Sequence, residues 1–238
     1  MKRRIEILPI RAALEERVAA ELVAIVKSAL DARGRADMVV TGGTVGIGTL
    51  AALARYSQVS ALDWTGIHVW WGDERFVPAG HADRNERQAR DALFSHVVIP
   101  AENLHTFPAN HGQTIEEARD EFLAEHVGGF PVFDVVLSGI GPDGHTASLF
   151  PGLPHGEGED VISVSNSPKP PAERLSLTFD ALNRGQHVWI IASGEDKAVA
   201  VSRIVADFPE SETPATALRG LVETVVWTDA GAASAISD

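Results

Sequence analysis

Four times along the chain a short apolar run breaks into a glycine turn, and helical spacing follows three of those turns. Met38-Val39-Val40 meets Thr41-Gly42-Gly43-Thr44 before a helical stretch over 47–55. Ile67 to Trp71 ends in Gly72-Asp73-Glu74-Arg75, with helical stretches following around 84–95 and 114–126. Phe133 to Leu137 enters the densest loop of all, Ser138-Gly139-Ile140-Gly141-Pro142-Asp143-Gly144-His145. His187 to Ala192 ends at Ser193-Gly194, ahead of a helix over 195–206. A strand that is apolar throughout is buried on both faces, and a helix after it is the crossover that parallel neighbours require. The order predicts an α/β fold, a mostly parallel sheet with helices on both faces, whose ligands bind outside the carboxyl ends of the strands. Every glycine turn named here lies at such an end.

The remaining segments fit that scheme. Leu14, Val18, Leu22, Ile25, Val26, Ala29 and Leu30 recur at spacings of three and four, predicting an amphipathic helix over 11–33 that Gly34 ends. Strands are expected over 161–164, 174–178 and 224–227, so strands and helices should alternate to the end. Any helix after Gly144 would be stopped within two turns by Phe150-Pro151-Gly152. Pro168-Lys169-Pro170-Pro171 is a stiff turn rather than a linker, and no repeat or change of composition divides the chain. Residues 1–238 are therefore read as one domain, with Trp70, Trp71 and Trp189 in its core.

Composition removes several classes of function. No stretch approaches the ~18 apolar residues of a membrane span. Asp and Glu number 33 against 20 Lys and Arg, a net charge of −13 that repels nucleic acid and anionic membranes. There is no Cys, which excludes disulfides, thiolate metal sites and a Cys nucleophile. MKRRIEILPI lacks the apolar core of a secretory signal, so a cytoplasmic enzyme or binding protein is expected. The sequence leaves the oligomeric state open.

The motifs narrow the chemistry. N–H groups of a glycine loop at a helix start point outward with the positive end of the helix dipole, so Thr41 to Gly46 can cradle a phosphate; a tight βα turn is the plainer reading. No Lys precedes Ser or Thr there, which excludes a nucleotide P-loop, and the two dinucleotide-like glycine patterns lack the required context. Asp143-Gly144-His145 sets a carboxylate beside an imidazole on a turn, as a general base requires, unless the His is an incidental surface residue. Asp73-Glu74-Arg75 occupies the equivalent place after another strand, either in a shared site or as a solvated charge cluster capping the next helix. There is no HExxH and no Gly-x-Ser-x-Gly, so neither a metal nor a serine triad is expected. Positive charge is scarce, and Lys169, Arg174 and Lys197 lie next to loops or strand ends, where an anionic ligand would need them.

Together Thr41-Gly42-Gly43-Thr44, GDERFVP over 72–78, DVVLSGIGPDGHTASLFPG over 134–152, Pro168-Lys169-Pro170-Pro171-x-x-Arg174 and Gly194-x-x-Lys197 resemble the 6-phosphogluconolactonase family, in order from about 40 to 200. The resemblance implies a Rossmann-like α/β domain that hydrolyses 6-phosphoglucono-δ-lactone to 6-phosphogluconate without metal or organic cofactor. It implies that His145 is the general base, that Asp73 and Asp143 are active-site carboxylates and that Arg75 is a substrate-binding cation. The loop Gly42, Gly43, Thr44 would hold the phosphate with Arg174 and Lys197. Two segments depart from the family pattern: Thr41, Thr44 and Val45 stand where Ser-Gly-Gly-Ser-Pro is usual, and Arg84-Asn85 replaces Ser-Asn, leaving Asn85 as ligand or helix cap. The related glucosamine-6-phosphate deaminases share the order of motifs, but carry an Asn-Glu-Pro-type segment where this chain has Ser148-Leu149-Phe150-Pro151. A sugar-phosphate-binding regulator would not need the Asp-His pair.

Overall fold

The computed structural model describes residues 3–56 and 59–236. Along the chain run β1 (Arg4–Leu8), α1 (Arg11–Arg33), β2 (Ala36–Val40), α2 (Gly43–Arg55), β3 (Ile67–Trp71), β4 (Asp73–Arg75), α3 (Asn85–Ala89), β5 (Leu104–His105), α4 (Ile115–Glu125), β6 (Val135–Gly139), β7 (Val161–Val164), β8 (Arg174–Leu177), α5 (Phe179–Leu182), β9 (His187–Ala192), α6 (Ala198–Val205) and β10 (Glu223–Asp229). The helix expected over 11–33 is α1, and Gly34 closes it in the left-handed conformation with its N–H on the Leu30 carbonyl.

Seven strands form one sheet in the order β1-β10-β9-β6-β2-β3-β5, with every neighbouring pair parallel. From β2 the chain builds outward through β3 to β5, then returns to lay β6 on the other side of β2 and builds outward again through β9 and β10. The order of strands thus reverses between β2 and β6, which pair through Met38 with Val135 and Val39 with Val136. Loops leaving the two strands diverge at that point and open a crevice at their carboxyl ends. The loops concerned are Thr41-Gly42 and Ile140 to His145. Among the described residues no helix is long and apolar enough to cross a membrane.

The expected alternation beyond Pro151 does not hold. β7 and β8 leave the main sheet and join β4 in a second, antiparallel sheet of order β4-β8-β7. Gly72 carries the chain from one sheet to the other: its N–H donates to the Val40 carbonyl at 3.0 Å, and its own carbonyl accepts from Leu177 N–H at 2.9 Å. Asp73-Glu74-Arg75 is therefore a short strand, with Asp73 opposite Ser176 and Arg75 opposite Arg174. No helix follows Gly144. The segment turns back on β6, with the Thr146 hydroxyl on the Gly139 carbonyl at 2.9 Å and Gly141 N–H on the His145 carbonyl at 2.9 Å. The helical stretch expected over 84–95 is α3 followed by a π-helical turn, Arg90–Phe94. Both sheets share one continuous core that includes Trp70, Trp71 and Trp189.

Candidate active site

At the crevice lies a cavity of about 120 Å³ lined by Thr41, Gly42 and Gly43 after β2, Asp73 and Arg75 of β4, Asn85 opening α3, Gly139, Ile140, His145 and Ala147 after β6, and Arg174 of β8. A larger groove of about 770 Å³ between residues 152–157 and 207–219 contains none of the expected site residues. Chemistry, not size, selects the smaller one.

His145 forms one wall. Its Nδ1–H donates to Asp143 Oδ1 at 2.5 Å, which leaves Nε2 as the lone-pair nitrogen. The ring lies against Phe150, with centroids 4.6 Å apart and planes inclined by 28°. Gly141 is required beneath it, because a Cβ there would stand 2.0 Å from the ring atoms Cε1 and Nδ1. The Lys169 ammonium completes the group, 3.1 Å from His145 Nδ1 and 3.4 Å from Asp143 Oδ1. Burial alone would raise the Asp143 carboxyl, but the hydrogen bond and charge of His145, with the charge of Lys169, outweigh it and hold Asp143 well below the usual carboxylate range. Asp143, rather than Asp73, is thus the partner of His145.

The opposite wall is built on β4 and α3. Asp73 is buried, and its carboxylate accepts from Ser148 Oγ at 2.7 Å and Asn85 Nδ2 at 3.2 Å, with Arg174 Nη1 at 3.8 Å. Asn85 also donates to the Asp73 carbonyl at 2.8 Å and accepts from Arg75 Nη1 at 2.7 Å. Gly42 packs so closely on Asn85 that a Cβ would lie 1.9 Å from its Oδ1. Arg75 Nη1 also meets the Asp83 carbonyl, while its buried Nε has no hydrogen-bond partner among the described residues. Arg174 is largely committed to framework: it donates to the carbonyls of Lys169, Pro170 and Pro171 and so holds the turn that brings Lys169 to His145.

Glu74 is not part of a solvated cluster. It is 1% exposed and accepts the N–H groups of Arg75, Asn85 and Glu86, so it caps α3 from inside the protein. Arg84, 2% exposed, lies 3.7 Å from Glu74 and donates to the Phe107 carbonyl at 2.7 Å. Burial pushes the Glu74 carboxyl up to about 7 even though Arg84 and the three N–H groups oppose it.

The expected residues Gly42, Gly43, Asp73, Arg75, Asn85, His145 and Arg174 therefore converge on one cavity, and Asp143 supports it from behind His145. Thr44, in the first turn of α2, is exposed and does not line it. Lys197 also stands outside the lining, 3.0 Å from Asp196 in the turn after β9. Ser148, Phe150 and the Glu74–Arg84 pair were not singled out from the sequence. Their spacing along the chain carries no signal of these contacts, although the DGHTASLFPG match contains Ser148 and Phe150.

Residues 9–227 match the family model described as glucosamine-6-phosphate isomerases/6-phosphogluconolactonase, and the chain belongs to that family. Within it, the 6-phosphogluconolactonase of Mycobacterium leprae is 42% identical, over 87% of this chain and 87% of that protein. That of Streptomyces coelicolor is 40% identical, over 93% of this chain and 90% of that protein. The crystal structure of 6-phosphogluconolactonase from Thermotoga maritima superposes with a TM-score of 0.85 at 28% identity, covering 96% of this chain and all of that one (100%).

Proposed function

We propose that this chain is a 6-phosphogluconolactonase, hydrolysing 6-phosphoglucono-δ-lactone to 6-phosphogluconate in the oxidative pentose phosphate pathway, with His145 as general base. The observation that carries the mechanism is the Asp143–His145 pair, its Nε2 left as the lone-pair nitrogen, on the wall of a cavity whose other wall carries Arg75. A lactone carbonyl is electrophilic already, so catalysis needs an aligned water, a base and some stabilisation of the oxyanion. Nε2 takes a proton as water adds to the carbonyl carbon. The tetrahedral intermediate then collapses, the ring C–O bond breaks, and the proton passes from the imidazolium to the departing ring oxygen. Asp143 stabilises the imidazolium between the two transfers.

The phosphate, remote from the reacting carbon, orients the ring. Gly42, Gly43 and Thr44 offer N–H groups at the start of α2, where the helix dipole favours an anion. Arg75 adds a cation on the cavity wall, and Asn85 fixes its direction. Arg174 contributes positive charge from the cavity wall, and Lys197, outside the lining, adds charge from the turn after β9. Asp73 acts by holding Asn85 and Ser148 in place. A cytoplasmic setting suits a chain without Cys that acts on a phosphorylated sugar.

Decay of freshly made 6-phosphogluconolactone, with and without the protein, tests the assignment, with ammonia release from glucosamine 6-phosphate as the contrast. Accelerated decay without ammonia is expected; ammonia release without lactone hydrolysis refutes the assignment.

A further inference from the structure

We propose that Glu74 and Arg84 are positioning residues: a buried carboxylate–guanidinium staple that fixes the substrate-holding wall and thereby sets substrate affinity, while taking no part in proton transfer. The inference rests on the reading of Arg75 and Asn85 as substrate ligands. The geometry is specific to that wall. One oxygen of Glu74, Oε1, accepts the N–H of Arg75 at 2.8 Å and that of Asn85 at 2.7 Å, and Oε2 accepts the N–H of Glu86 at 2.9 Å. Two of these three N–H groups belong to cavity residues separated by the loop 76–84, so a single carboxylate sets the distance between them. Their side chains then meet, Arg75 Nη1 on Asn85 Oδ1, and Asn85 reaches on to Asp73.

An ionised carboxylate this deep needs a counter-charge, because burial favours its neutral form and a protonated oxygen cannot serve the same three donors. Arg84 supplies it from 3.7 Å and is itself tied to the carbonyl of Phe107 and to Glu86 Oε2 at 3.3 Å. The loop 76–84 is thereby anchored at its far end, where Arg84 is bonded to the segment after β5. None of these bonds reaches His145 or Asp143, whose partners are Gly141, Phe150 and Lys169. Loss of the staple should therefore move binding and leave the base in order.

Steady-state kinetics of the full-length protein on 6-phosphogluconolactone separate the alternatives. Glu74→Gln keeps the shape but turns an NH₂ toward donors that need an acceptor. The expected result is a KM raised about tenfold, with kcat within about threefold of wild type, the effect of weakening one charge-assisted hydrogen bond to the substrate. A merely structural role gives the opposite split: a smaller folded fraction lowers apparent kcat and leaves KM alone, and that result overturns the proposal. Glu74→Gln strands the Arg84 charge, so the double variant Glu74→Gln/Arg84→Met removes both charges and recovers thermal stability. Its KM should stay raised, because an amide cannot accept from three N–H groups as the carboxylate does; return of KM to the wild-type value overturns the proposal. Wild-type protein inert toward the lactone overturns the functional reading beneath it, whereas active wild type with an unmoved KM in both variants overturns the staple alone.

Discussion

Replacing Asp143 by Asn probes the base with little change of shape. In the wild-type protein the carboxylate is ionised at neutral pH, because His145 and Lys169 outweigh the burial that would raise it, and it takes the Nδ1–H of His145 at 2.5 Å. An asparagine has two ways of meeting the ring. With its carbonyl toward Nδ1 the tautomer is kept but the charge is lost, and a charge-assisted hydrogen bond is worth about 1.5–3 kcal/mol. At about 1.4 kcal/mol per factor of ten, kcat then falls roughly 10- to 150-fold. With its NH₂ toward the ring, Nδ1 becomes the acceptor, Nε2 carries the proton, and the base is gone. Lys169 favours this second state, since its ammonium lies 3.1 Å from Nδ1 and can donate only to a bare nitrogen.

The loss should therefore lie at or beyond the upper end of that range, with KM little changed. Initial rates on freshly prepared lactone, corrected for spontaneous hydrolysis, measure it, with circular dichroism and a thermal melt to verify folding. A folded Asp143→Asn variant whose kcat stays within about threefold of wild type would refute the claim that this carboxylate sets the imidazole. Because Asp143 remains charged well into the acid range, a fall of kcat/KM just below neutrality does not come from Asp143.

Four further outcomes are expected. His145→Ala should lower kcat by about 10²–10⁴-fold in a folded protein, the usual worth of general-base assistance; wild-type turnover would move the base elsewhere. Unphosphorylated gluconolactone should have a kcat/KM lower by on the order of a hundredfold or more, for want of charge-assisted bonds to a phosphate, and equal values for the two lactones would refute phosphate recognition. Dialysis against EDTA should leave the rate unchanged, since among the described residues no group of three or more His, Asp or Glu is placed to hold a metal ion; loss restored by a divalent ion would require another mechanism. Finally, stability should fall with acid through His105. His126 Nδ1 donates to the Phe122 carbonyl, its Nε2 accepts from His105 Nδ1, and His105 Nε2 accepts from His68 Nδ1, so a proton on His105 breaks the chain. Burial, with His126 and His68, pushes His105 down to about 4. The unfolded chain, near ~6.5, binds the extra proton first, so this stabilisation is complete above that pH and is lost as the pH falls toward 4, by on the order of 2 kcal/mol after allowance for partial exposure. Urea melts at pH 7.5 and 4.5 check it, and an identical pH slope in His105→Phe would disprove the role.

What could be read from the sequence is what is local in it. The parallel strands declared themselves because an apolar run and its glycine turn are contiguous, and α1 because its buried residues repeat within a turn of one another. Asp143 and His145 stand two residues apart, so their meeting could be anticipated from the turn between them. The small sheet could not, since β4 and β8 pair across about a hundred residues and neither has the apolar run of a sheet interior. Ser148 meets Asp73 across 75 positions, and Lys169 meets His145 across 24. Charge was misleading for the same reason. Counted along a chain of net charge −13, Lys169, Arg174 and Lys197 look like the cations available to an anion. In the fold Lys169 lies beside Asp143 and His145, and Arg174 grips the carbonyls of its own turn. Lys197 stands beside Asp196, and the most deeply buried of the site's cations, Arg84, balances Glu74. Most positive charge near the site thus organises the protein itself, and in the proposed function recognition of a phosphate falls to Arg75 on the cavity wall and to the N–H groups at the start of α2. Affinity at such a site depends less on how many cations are present than on how firmly one of them is aimed, and a carboxylate buried behind Arg75 and Asn85 is suited to aim it.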